Sequence, residues 1–317
     1  MRLLGRSRSF PKPTRAGFAL LSLAALSLAA LAGCGLSTQS TPGGGQVIQV
    51  VAAENFWGSI AAQVGGSHVH VTSIIVDPNS DPHSYEPTAQ DGRTFAEAQY
   101  VIVNGVDYDP WATQLLRANP VSGRVTLNVG DFLGKKSGDN PHLWYNPDYV
   151  TQVVNRLRDD FKKLDPSAAA DLDASAQAYL TTGLSQYHSL IAQIKAQYSG
   201  TPVGATESIF SYLSPALGMN LITPYSYLKA VSEGEEVSAA DQATVQQQIA
   251  RKQIKILVYN SQNTPPNIRT LISQARAEGI PVATITETLS PASDTFQAWQ
   301  SAQLQGILSA LNQASGK

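Results

Sequence analysis

The sequence predicts an α/β protein of two lobes, each a mostly parallel sheet flanked by helices, joined by one long helix. Three observations carry this. Short β-rich apolar runs alternate with helical patterns from residue 47 to about residue 129, and the same rhythm resumes at residue 202. Between them, residues 146–198 hold a single glycine, Gly183, and are dominated by helix formers.

In order, strands are expected at 47–52, 69–76, 100–104 and 124–129, with helices at 57–64, 88–98 and 110–117. Asp165-Pro166-Ser167 breaks the helical middle, because proline disfavours helix at the preceding residue and Ser167 can cap the next helix. Residues 168–198 then read as one helix of about 31 residues, roughly 46 Å long. That exceeds the usual length of a globular helix, which suits a crossing between two lobes. Beyond it, strands are expected at 202–205, 256–259 and 282–285, and helices at 209–217, 239–252, 266–278 and 294–312. The expected division is an N-terminal lobe at 47–165, the linking helix at 166–199 and a C-terminal lobe at 200–317.

The front of the chain follows different rules. Arg2, Arg6, Arg8, Lys12 and Arg15 precede an uncharged run over residues 16–33, the pattern of an export signal spanning residues 1–33. The run ends Leu31-Ala32-Gly33-Cys34, and Cys34 is the only cysteine. This ending resembles a bacterial lipobox, in which the cysteine is lipidated and becomes the mature N-terminus; the alternative is a plain membrane-spanning helix. Residues 35–46, rich in Gly, Ser, Thr and Pro, read as a flexible tether.

The 22 basic and 24 acidic residues become 17 against 24 once the five basic residues of the signal leave. No basic cluster remains to neutralise a phosphate backbone, so nucleic acid is excluded as a partner. The exported body has no cysteine to form a disulfide and must rest on core burial, which about 270 residues can supply.

Chemistry concentrates in two Pro-His pairs. His83 lies in the proline-punctuated segment 77–88, and His142 comes 59 residues later in Asn140-Pro141-His142-Leu143-Trp144. Imidazole is the commonest transition-metal ligand, and loops at strand ends are where sites are built. Each candidate also admits a plainer reading. His83 could cap a helix, and His142 could pack beside Trp144. Glu207 and Glu287, taken alone, read as a helix-N-terminal charge and a surface acid.

Five motifs run in order along the chain: Glu54-Asn55-Phe56-Trp57-Gly58, Asp81-Pro82-His83-Ser84-Tyr85-Glu86-Pro87, Asn104-Gly105-Val106-Asp107-Tyr108-Asp109-Pro110-Trp111, Asn140-Pro141-His142-Leu143-Trp144 and Thr206-Glu207-Ser208-Ile209-Phe210-Ser211-Tyr212. Together they resemble the metal-specific solute-binding lipoproteins of bacterial ABC importers, the manganese and zinc receptor group, over residues 47–315. The resemblance implies one divalent ion, Mn2+ or Zn2+, held in the interlobe cleft by His83, His142, Glu207 and Glu287. The position of Glu207 is His in many zinc receptors and Glu in many manganese receptors. Glu287 stands where Asp is usual. It also implies delivery to a membrane permease, lipid anchoring through Cys34 on the outer face or in the periplasm, a monomer, and no catalytic role. His68, His70 and His188 match no ligand motif and are expected at the surface or in packing. Glu54 and Asp81 could support a ligand imidazole. The alternatives are a receptor for a metal chelate, a surface adhesin of the same fold, or a metallohydrolase, for which no H-E-x-x-H or G-x-S-x-G motif is present.

Overall fold

The computed structural model describes residues 47–317 apart from Asp81, so the expectations for the signal, Cys34, the tether and Asp81 lie outside the described residues. The chain begins with β1 (Ile48–Glu54), α1 (Asn55–Gly65), β2 (Val69–Ile75), α2 (Ala89–Glu97), β3 (Tyr100–Val103), α3 (Pro110–Ala118), β4 (Val125–Asn128) and α4 (Val129–Phe132). These strands form a parallel sheet in the order β2-β1-β3-β4, with Val50 opposite both Val71 and Tyr100. All four residues of β3 are buried, as expected of a strand covered on both faces. Thr88 starts α2 with a capping box: its hydroxyl accepts from Asp91 N while the Asp91 carboxylate accepts from Thr88 N.

The middle of the chain is helical: α5 (Pro147–Leu164), α6 (Ala169–Ala178) and α7 (Ser185–Tyr198). Two expectations are corrected here. Asp165, not Ser167, caps the break, its carboxylate accepting from Ser167 N and Ser167 Oγ. The linking segment stays helical but is not one regular α-helix, since Tyr179–Gly183 forms a π-helical turn closed by Leu184 N donating to Tyr179 O at 2.9 Å. Thr181, Thr182 and Gly183 are weak helix formers in succession, which lowers the cost of the wider turn.

A second parallel sheet repeats the plan of the first. It comprises β5 (Pro202–Ala205), then α8 (Leu213–Ala216), β6 (Asn220–Leu221), α9 (Tyr225–Ser232), α10 (Ala239–Ala250), β7 (Leu257–Asn260), α11 (Pro266–Ala277), β8 (Val282–Ile285) and α12 (Phe296–Ala314). Its order is β6-β5-β7-β8. The helix expected at 209–217 is instead a single 3-10 turn, Ser208–Phe210, followed by the four-residue α8 around Pro215. The final helix packs on α7, β8 and α1. One apolar core runs from Ile48 through Trp57, Trp144, Leu190 and Val203 to Leu311 without a break between the lobes. A smaller cluster around Val51, Phe95, Val101 and Trp111 lies beneath α2 and α3.

Candidate metal centre

Both sheets present the C-terminal ends of their strands to one cleft, the edge at which open parallel sheets bind ligands. In the first lobe, the loop after β2 closes into a 3-10 turn, Pro82–Ser84, that carries His83. Trp111 Nε1 donates to Pro82 O at 3.2 Å and pins this turn to α3. The His83 ring meets the Tyr108 ring edge-on, with centroids 4.7 Å apart.

His142 lies just before the 3-10 turn Leu143–Tyr145 and is fully buried. Two contacts hold its backbone. Asn104, itself accepting from Trp57 Nε1 at 3.0 Å, donates through Nδ2 to Pro141 O at 2.9 Å. Trp144 stacks on Phe56 with centroids 4.0 Å apart, anchoring the segment in the core. Burial, and then the charge of neighbouring His83, hold the His142 imidazole well below the usual histidine range. The ring is therefore neutral, the state in which a metal can be ligated.

In the second lobe, Glu207 follows β5 and is 1% exposed, and Glu287 follows β8 and is 8% exposed. The Glu287 bend is held by Gln262, whose Oε1 accepts from Glu287 N at 2.5 Å and from Thr288 N at 3.1 Å, and by Gln303, which accepts from Thr286 N at 2.6 Å. Asn260, the last residue of β7, donates through Nδ2 to Glu287 Oε1 at 2.8 Å and to Glu207 Oε2 at 3.1 Å.

Of the four expected ligands, three converge. His83, His142 and Glu287 each offer a ligand atom, and these atoms all lie within 4.8 Å of one another. Two come from the first lobe and one from the second. Glu207 lies outside this triad and is joined to it through Asn260. Two imidazoles with one or two carboxylates make a donor set suited to zinc, iron or manganese. The triad borders a cleft of about 520 Å³, whose described lining carries one lysine, Lys229, against Asp107, Asp139, Glu233, Glu235 and Glu287.

Glu54 lies against Asp109, away from the role of imidazole support considered for it. Burial, and then the charge of Asp109, push its carboxyl well up, and burial pushes Asp109 to about 6 even though Asn104 N and Gly105 N donate to it. His70 and His188 are exposed, and His68 pairs with Asp171 at 3.3 Å. Sequence reasoning gave no role to Tyr108, Asn140, Asn260 or Gln262. Tyr108 donates to Glu287 Oε2 at 3.0 Å across the cleft. For Asn260 a signal existed, since it is the polar residue that directly ends an apolar strand run.

A family model described as ZnuA, zinc-uptake complex component A, periplasmic, matches residues 50–310. The manganese-binding lipoprotein MntA of Halalkalibacterium halodurans is 29% identical over 153 residues, 47% of this chain and 50% of that protein's length. The manganese ABC transporter substrate-binding lipoprotein PsaA of Streptococcus pneumoniae is 23% identical over 254 residues, 74% of this chain and 79% of that protein. Among solved structures, the Mn-bound periplasmic metal binding protein from candidatus liberibacter asiaticus shares the fold with a TM-score of 0.69 at 21% identity, covering 83% of this chain and 99% of that one. With both sheets, the cleft and most of the sequence inside the match, this chain belongs to the ZnuA periplasmic family.

Proposed function

We propose that this protein captures a divalent transition metal ion, manganese or zinc, outside the cytoplasmic membrane and delivers it to the permease of an ABC importer, working as a monomer held to the membrane by lipid on Cys34. The observation that carries this reading is the convergence of His83, His142 and Glu287 from two lobes on one point. A cation there is bound by both lobes at once and favours the closed state through that differential contact. Glu207 is the fourth ligand once its carboxylate turns from Asn260 toward the ion. The family is described by zinc uptake and several relatives by manganese, and both ions suit this donor set. A chelate receptor is disfavoured by the acidic lining of the cleft, which repels anionic chelators. Binding, not turnover, is the activity assigned to the site.

The test is metal content by mass spectrometry after chelation and reloading with equal manganese and zinc. One ion per chain is expected, lost in His142→Ala and in Glu287→Ala and weakened in Glu207→Ala. Wild-type protein without stoichiometric metal, or full retention in the first two variants, overturns the assignment.

A further inference from the structure

We infer that Asn140 is a positioning residue that couples the tautomer of the His142 ring to the contact between the lobes. Its Oδ1 accepts from His142 N at 3.1 Å and lies 2.7 Å from His142 Nδ1. Its Nδ2 donates across the cleft to Ser208 O at 2.7 Å. A backbone N–H can only donate and a backbone carbonyl can only accept, so these two partners independently dictate which end of the amide is oxygen.

The orientation has a consequence for the ring. With Oδ1 facing Nδ1, the single proton of neutral imidazole sits on Nδ1, and Nε2 is left with its lone pair. Nε2 is buried and has no hydrogen-bond partner among the described residues. Turning the amide over would break the bonds to His142 N and Ser208 O together and oppose an NH2 to Nδ1–H. The Nδ1–H tautomer and the crossing bond to Ser208, next in sequence to Glu207, therefore both depend on this one amide orientation. Tyr212 Oη reinforces the same point, donating to Asn140 O from the second lobe at 3.2 Å. In the metal-receptor reading, on which this coupling builds, an ion on Nε2 demands the Nδ1–H form and so favours the contact that closes the cleft.

The test uses the full chain with 15N-labelled histidine. Metal-free wild type is expected to show His142 as the Nδ1–H tautomer by NMR. Asn140→Asp keeps an acceptor for His142 but sets a carboxylate oxygen against Ser208 O. It should retain that tautomer, lengthen a spin-label distance between the lobes, and release manganese or zinc about tenfold faster with the association rate within about threefold of wild type. Asn140→Ala should in addition mix the tautomers. An Nε2–H ring in wild type overturns the coupling without any variant having to fold. Unchanged distance and release in Asn140→Asp overturn it while leaving the receptor reading intact. Wild type that binds no metal but shows the tautomer, together with the lengthened distance in Asn140→Asp, refutes the receptor reading and supports the coupling.

Discussion

Glu54 and Asp109 are 0% and 1% exposed; burial makes both harder to ionise, and the charge of Asp109 adds to the effect on Glu54. Their folded-state values lie above the unfolded ones, with Asp109 moved from 3.8 to about 6. The native chain thus holds protons that the unfolded chain has released, so for Asp109 stability falls as pH rises from about 4 through about 6, and the raised Glu54 carboxyl adds a loss of the same sign. Glu54→Gln keeps the shape and removes the charge. It is expected to raise unfolding stability at pH 7 by about 1–3 kcal/mol, with the difference vanishing near pH 4. Urea titrations at the two values check this, and an equal effect at both sinks the explanation. Asp109 matters to the site because its carboxylate gathers Asn104 N and Gly105 N, organising the turn from which Tyr108 reaches Glu287.

That turn, residues 104–109, is the element on which the first lobe's half of the cleft depends. Gly105 has φ +72°, and an added Cβ would stand 2.1 Å from Asn128 Oδ1, the oxygen that accepts from Asp131 N at the start of α4. Gly105→Ala combines left-handed strain with loss of that cap and is expected to cost about 2–3 kcal/mol, lowering the melting temperature and weakening metal binding together. A melt and an affinity measurement on one sample check it; full stability with loose binding would show that the turn is not the shared cause. The strands of both sheets were legible because buried parallel strands read as short apolar runs. Asn220–Leu221 was not, since a two-residue strand has no periodicity and exists through its pairing with Pro202 and Val203. Helix α9 buries only Tyr227, Leu228 and Val231, too few positions to stand out. Motif order singled out the four candidates, of which His83, His142 and Glu287 come together. Tyr108 was not assigned a role, because its partner Glu287 lies 179 positions away and only folding brings them together. Asn260 showed itself as a polar strand end, but its carboxylate partners, 27 and 53 positions away, did not.

At the scale of the whole molecule, the continuous core and α12, which touches both α1 and β8, leave little freedom for the lobes to swing. Closure on metal should be small. Small-angle scattering is expected to show a change in radius of gyration below about 1 Å on loading, and a change of several ångströms would mean that the lobes part in a way this packing does not allow. No helix among the described residues is long and apolar enough to cross a membrane.

The unbroken core also bears on how cargo leaves. Parting the lobes far enough to free an ion would strip apolar contacts as well as ligands, so the molecule has no cheap thermal route to empty itself. Escape into solution should then be slow, and in the receptor reading proposed above the discharge of the ion would fall to a docked permease that strains both lobes together. On that reading the body is a ratchet: loading needs only the ion, unloading needs a hand on each side of the clasp.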